Sequence, residues 1–327
     1  MPANKQIIVG VDLGGTSLRA LVVDAENRTL ADVKTPTLAA AKPDTLIREI
    51  ARTVDQAVKA AGLARRAIAA VSIGAPGSTD PETGMVHRAP NLGWLEVPLG
   101  KKLKDLLRVP VLVGNDVNVG ALGEYVLGAG RGTEDMVGIF VGTGIGGAIL
   151  THGKLYHGSR GGAGEIGHTV IMVDGPLCSC GHRGCAEALA SRTAMERDVR
   201  AAIKAGNKSM VLKIMKLQNR PRMTSSVIAR ALRKGDPVMR QVFERAQYYL
   251  GILVANAVNL LDPECVVIGG GIADRLGETF VAPIRRAAYP YFLRAQDAER
   301  VTIVPGSLGD NAGALGAIVA ARQWLRQ

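Results

Sequence analysis

Three of the four cysteines in this 327-residue chain, Cys178, Cys180 and Cys185, fall within eight residues of the stretch GEIGHTVIMVDGPLCSCGHRGCAE, 164–187. Their spacing is C-x-C-x4-C, and Gly181 and Gly184 permit the bend that brings three sulfurs together. Three thiolates and one imidazole form a tetrahedral set suited to a structural Zn²⁺. By spacing alone the fourth ligand is either His168 or His182. A disulfide would need an oxidising compartment. A redox pair would want C-x-x-C rather than C-x-C.

A second chemistry is written in glycines. DLGGT, with Asp12, Gly14, Gly15 and Thr16, and GTGIGGA, with Gly142, Thr143, Gly144 and Gly146, each join two apolar strands. Glycines let backbone N–H groups approach a phosphate, and threonine adds a hydroxyl donor. Asp12 could hold a metal beside that phosphate. Neither segment is a dinucleotide fingerprint, because a strand follows where a helix is required, and neither is a P-loop, because no Lys-Ser/Thr pair follows. Two such turns suit a nucleoside triphosphate. Gly269, Gly270 and Gly271, after the apolar run CVVI, could lie against an adenosine. Asn115 and Asp116 end the run VPVLVGND. A carboxylate there could take the proton of a substrate hydroxyl attacking a γ-phosphate. It could equally cap the helix that follows.

The elements that must position these groups alternate between strand and helix, so an α/β protein is expected. IIVGVDLGGTSLRALVVD (7–24) and MVGIFVGTGIGGAILTHGKLY (136–156) read as strand, glycine turn, strand, which suggests two related domains. A helix is expected in PDTLIREIARTVDQAVKAAG, capped by Asp44, stopped by Gly62 and striped by Leu46, Ile50, Val54, Ala57 and Ala61. AIAAVSIGAPG reads as a buried strand. Another helix runs from Pro237 to Leu261 and stops at Asp262-Pro263, and NAGALGAIVAARQWL makes a small-residue helix near the end.

Composition narrows the partners. Aromatic residues are 4%, too few for base-stacking platforms. The longest apolar run, Tyr248–Leu261, is short for a bilayer and contains Asn256 and Asn259. The opening Met1–Gln6 is short and polar, unlike a secretory signal. A soluble cytoplasmic protein is expected, with no membrane partner. Net charge is +11, and between Arg192 and Lys234 twelve Lys/Arg face only Glu196 and Asp198. That segment could meet a phosphate-rich partner such as polyphosphate, but the helical spacing in MERDVRAAIKAGNKSMVLKIMKL favours a solvated face.

In chain order DLGGT, GAPG, APNLGW, GNDVNVGALGE, GTGIGGA, GGAGEIGH, CSCGHRGCAE and VIGGGI resemble the ROK family (repressor, open reading frame, kinase). Within it they resemble the bacterial glucokinases. The resemblance spans nearly the whole chain, and the pairing of GEIGH with CxCGxxGCxE is its most specific part. It implies an actin-like, hexokinase-like fold, two RNase-H-like domains around a cleft, with residues 1–118 plus 311–327 in one and 119–310 in the other. It implies ATP-dependent phosphorylation of glucose at the 6-hydroxyl with Mg²⁺. The alternatives are another hexose, such as N-acetylmannosamine or fructose, and a non-catalytic sugar sensor; NLGW leans to glucose.

By the same resemblance Asp116 is the general base, and Asn115, Glu165, His168 and Glu187 contact sugar hydroxyls, with Gly74 and Asn91 as weaker contacts. Zinc falls to His168, Cys178, Cys180 and Cys185, and a homodimer or homotetramer is implied. Repressors of the family carry a DNA-binding domain before DLGGT, whereas eleven residues precede Asp12 here, so no nucleic-acid partner is expected.

Overall fold

The computed structural model describes residues 7–326, so the polar Met1–Gln6 stretch lies outside the described residues. The chain divides into two compact units: 1–127 with 157–163 and 311–327, and 128–156 with 164–310.

In the first unit, β1 (Ile7–Leu13), β2 (Ser17–Val23), β3 (Thr29–Pro36), β4 (Ile68–Ala75) and β8 (Val111–Asn115) form one sheet in the order β3-β2-β1-β4-β8. A small sheet of β5 (Ser78–Asp80), β6 (Met85–Ala89) and β7 (Trp94–Val97) lies between β4 and β8 in sequence. β1 pairs antiparallel with β2 and parallel with β4, which pairs parallel with β8. Register sets Asp12 opposite Gly74, and Ala75 opposite Asn115. Three parallel strands therefore end together, where side chains of an open α/β sheet gather around a ligand.

Helices cover this sheet. α1 (Pro43–Ala60) buries Leu46, Ile50, Val54 and Ala57 against it. Its cap differs from expectation. Lys42 holds the cap position without a side-chain bond, Pro43 opens the helix, and Asp44 lies in the first turn paired with Lys102. Proline suits the first helical position because its φ is already helical and its missing N–H would have no partner there. α2 (Leu99–Leu107) and α3 (Asp116–Leu127) follow. The C-terminal helix, Ala312–Leu325, packs Ala314, Ile318 and Ala321 against Ile8, Leu21, Val23 and Ala70.

The second unit repeats the strand order. β9 (Met136–Val141), β10 (Ile145–Thr151), β11 (Lys154–Leu155), β12 (Cys265–Gly269) and β13 (Thr302–Pro305) lie as β11-β10-β9-β12-β13, with the hairpin strands antiparallel and the last two parallel. The sequence repeat is thus a repeat of sheet topology. α4 (Ala186–Ala190), α5 (Arg192–Lys204), α6 (Val211–Leu217), α7 (Ser225–Arg233) and α8 (Pro237–Leu261) build the core with Val137, Ile139, Val266 and Ile268.

α8 has the expected bounds because both ends are specified chemically. Fully buried Asp236 accepts the Met239 N–H at 2.8 Å with one oxygen, and Ser209 and Met210 bond the other. Asp262 ends the helix at φ +47° before Pro263.

The basic stretch 192–234 folds into helices α5 to α7 and their connections. Glu196 holds Arg200 and Arg222, Asp198 holds Arg197 and Arg245, and Lys204, Lys208, Lys213 and Lys216 are exposed. Among the described residues no helix is long and apolar enough to cross a membrane.

Candidate functional site

In the first unit two carboxylates, Asp12 and Asp116, meet at the strand ends. Asn115 caps α3: its Oδ1 accepts the Asn118 N–H at 3.0 Å, and its Nδ2 donates to the Gly77 carbonyl at 2.9 Å. Capping therefore falls to Asn115, while the Asp116 carboxylate accepts the Val117 N–H at 2.9 Å and its own backbone N–H. Burial, then the charge of Asp12, pushes the Asp116 carboxyl up to about 7, against the pull of backbone N–H groups. That value matches a general base working near neutrality.

Gly74 lies under this helix start; a Cβ there would fall 2.6 Å from Val119 Cγ2 and 3.4 Å from Asp116 Cα. Asp12 is seated the same way, since a Cβ on Gly313 would fall 2.8 Å from its carboxyl carbon. Beside them Gly14 accepts the Thr37 hydroxyl at 2.7 Å through its carbonyl, while Gly15 and Thr16 are exposed. Asn91 is exposed in the turn Pro90–Leu92, and Trp94 next to it is a buried core residue.

In the second unit the hairpin Gly142–Gly146 joins β9 to β10 and is strapped from the side. Arg192 donates from Nη2 to Thr143 Oγ1 at 2.5 Å and from its backbone N–H to the Gly142 carbonyl at 3.0 Å. Thr193 Oγ1 donates to the Thr143 carbonyl at 2.8 Å. Desolvation, then the like charge of Arg222, lowers the Arg192 pKa, so a partly desolvated cation stands beside the hairpin. Gly269 and Gly270 touch the same strand end: added Cβ atoms would meet Phe140 and the Val141 carbonyl, and Gly271 opens toward Ser225.

The cysteines close into a cage. The donor atoms of His168, Cys178, Cys180 and Cys185 all lie within 4.8 Å of one another. Cys180 and Cys185 sulfurs are 3.7 Å apart, and His168 Nδ1 is 3.6 Å from the Cys178 sulfur. A tetrahedral Zn²⁺ with ordinary bond lengths would set S···S edges of about 3.8 Å and S···N edges of about 3.6 Å. The cage fits that ion.

Gly181 and Gly184 take φ of +96° and +76° to make the bend. The backbone N–H of His182 and then its ring lower Cys180 to about 6, while burial, then the neighbouring sulfurs, push Cys185 up to about 12. Three sulfurs this crowded cannot all ionise without a cation among them. His182 Nδ1 is 3.5 Å from Cys180 but is not one of the four mutually close donors. With Nδ1 of His168 turned to the sulfurs, Nε2 is the nitrogen left for another partner. Exposed Glu165 precedes this turn and makes no side-chain hydrogen bond or ion pair among the described residues.

Glu187 is differently placed. One oxygen accepts the Ile145 N–H at 3.0 Å, and the other accepts the Ser179 hydroxyl at 3.1 Å. Sequence reasoning did not find this bridge or the Arg192 strap. The only available signal was the closeness of SRT, 191–193, to the knuckle.

The chain is similar to known proteins over nearly its whole length. A glucokinase of Thermotoga maritima is 36% identical over 311 residues, 95% of both chains, and one of Halalkalibacterium halodurans is 34% identical over 310, 94% of this chain and 92% of that one. The solved ROK family glucokinase of Streptomyces griseus, in complex with glucose and AMPPNP, superposes with a TM-score of 0.84 at 34% identity, covering 97% of this chain and 99% of that one. The fold is accordingly the actin-like α/β fold. The ROK family matches residues 8–324, and this chain belongs to it.

Proposed function

We propose that this chain catalyses ATP-dependent phosphorylation of glucose at the 6-hydroxyl. The observation that carries the reading is Asp116: a carboxylate at a helix start, spared from capping by Asn115 and raised to about 7. Similarity to glucokinases over 94–95% of the chain, and to a kinase binding glucose and AMPPNP, supports the substrates.

In the proposed step an Asp116 oxygen takes the proton of the C6 hydroxyl. The freed oxygen bonds to the γ-phosphorus as the bond to the β-bridging oxygen breaks, and ADP leaves. Sugar hydroxyls would be held by Asn115, Glu165, His168 and Glu187, with Gly74 and Asn91 as weaker contacts. The phosphates lie on Gly14, Gly15 and Thr16 and on Gly142, Thr143, Gly144 and Gly146, and the nucleoside on Gly269–Gly271. Asp12 would hold Mg²⁺ beside the phosphates, and the ion would neutralise their charge. His168, Cys178, Cys180 and Cys185 would hold a structural Zn²⁺, with His168 Nε2 turned to the sugar, so the metal fixes the ring's orientation.

A matrix of glucose, N-acetylmannosamine and fructose against ATP and polyphosphate tests the reading. ATP with glucose is expected to have the highest kcat/KM. No phosphorylation of any hexose would overturn it; a higher value for another sugar would reassign the acceptor.

Gly313→Ala probes Asp12 from outside the phosphate motifs. The methyl group would fall within 3.1 Å of the Asp12 carboxyl carbon and both its oxygens. Turnover is expected to fall by about 10- to 100-fold, the scale of a 1 Å misplacement. The melting temperature should hold, since alanine is the better helix former. Unchanged kinetics would mean that the Asp12 position is not critical.

A further inference from the structure

The knuckle and the hairpin, read above as a sugar-side metal clip and a phosphate cradle, are joined by one side chain. Glu187 stands two residues after Cys185, in the first turn of α4. Its Oε2 accepts the Ile145 N–H at 3.0 Å, inside the hairpin. Its Oε1 accepts the hydroxyl of Ser179 at 3.1 Å, and Ser179 lies between the ligand candidates Cys178 and Cys180. Gly144 is bare where the carboxylate arrives: a Cβ there would stand 2.2 Å from Oε2. Both carboxylate oxygens are thus used, one on each element. Five residues on, Arg192 and Thr193 hold Gly142 and Thr143. The segment 187–193 therefore bonds the hairpin at Gly142, Thr143 and Ile145 and lies close against Gly144, and it begins two residues after Cys185.

We infer that Glu187 is a positioning residue through which the metal-ligating knuckle sets the nucleotide-binding hairpin, so that loss of the metal weakens nucleotide binding even with no sugar present. The mechanism is mechanical. If the cage opens, Ser179 and Cys185 lose their fixed positions and Glu187 moves with them. The Ile145 N–H then loses its acceptor, and the backbone that would cradle phosphate is no longer held. The inference rests on the kinase reading of the hairpin.

Calorimetric binding of Mg²⁺·AMPPNP without glucose tests it, on metal-loaded and chelator-stripped protein, with circular dichroism checking the fold. Wild type is expected to bind about tenfold more weakly once stripped, the scale of one hydrogen bond to a charged group. Glu187→Ala should start about tenfold weaker and lose little more on stripping, because the coupling is gone. Glu187→Gln should stay within about threefold of wild type, since its amide can accept from Ile145 and donate to Ser179. If stripping unfolds the chain, Ser179→Ala and Glu187→Ala on loaded protein decide: non-additive losses support the link, and additive ones overturn it. A folded, stripped wild type with unchanged affinity overturns the inference and leaves the kinase reading standing. A loaded wild type that binds no nucleotide overturns both.

Discussion

Asp116→Asn is expected to cut kcat by about 10³-fold while glucose still binds, because a positioned general base contributes about 10²–10⁴-fold to such a step. Asparagine is close to aspartate in size and can still accept the Val117 N–H, so the start of α3 should keep its shape. What it cannot do is accept the hydroxyl proton. Glucose affinity by calorimetry and kcat by a coupled assay separate the two roles. Retained turnover would remove Asp116 from the chemistry.

The pH profile follows from the same environment. Only the ionised carboxylate can serve as base, and its pKa is pushed up to about 7 by burial and by Asp12. Hence kcat/KM should fall roughly tenfold per unit below pH ~7 and level off above it. Stability runs the opposite way. The folded state holds this proton more tightly than the unfolded chain, whose aspartate titrates near 4, so stability falls as pH rises between these two values. Asp116→Asn removes that cost, and its melting temperature should exceed that of wild type above pH ~7. A site that lowers stability in order to hold a base is a common trade.

What the sequence reveals divides by physical range. The α8 helix is readable from Pro237 to Leu261 because Asp236, Pro237, Asp262 and Pro263 act locally at its ends. The paired glycine hairpins are readable for the same reason, and they foreshadow two sheets of one topology. The cap of α3 is not readable: Asn115 and Asp116 are adjacent and both suited to capping, and only the Gly77 carbonyl, reached through the fold, settles which one turns. Asp44 is likewise not the cap, because Pro43 opens the helix one residue earlier, and its carboxylate instead pairs with Lys102, 58 residues away. The Glu187 contact spans 42 residues and the Arg192 strap 49, so no local pattern announces them. The small β5–β7 sheet has strands of three to five residues, too short for alternation to show.

Cys180→Ser is expected to empty the knuckle and weaken glucose binding by at least tenfold. Metal analysis of wild type should return about one zinc per chain, and the variant close to none, because an S₃N site depends on every thiolate. Cys265→Ser is the control: that cysteine is buried on β12 and is not one of the four clustered donors, so its loss should leave the metal in place. The histidines give the finer test. His168→Ala should lose the metal and His182→Ala keep it, since only His168 belongs to the mutually close set. The sugar effect follows from geometry. His168 closes the turn that begins at Glu165, with its backbone N–H bonded to the Glu165 carbonyl at 3.0 Å. Releasing Nδ1 from the sulfurs frees both the ring and that turn. Wild type that carries no zinc as purified and is fully active would refute the site. A preparation that loses zinc but keeps its glucose KM would leave the ion as a fold clip with no part in holding the sugar.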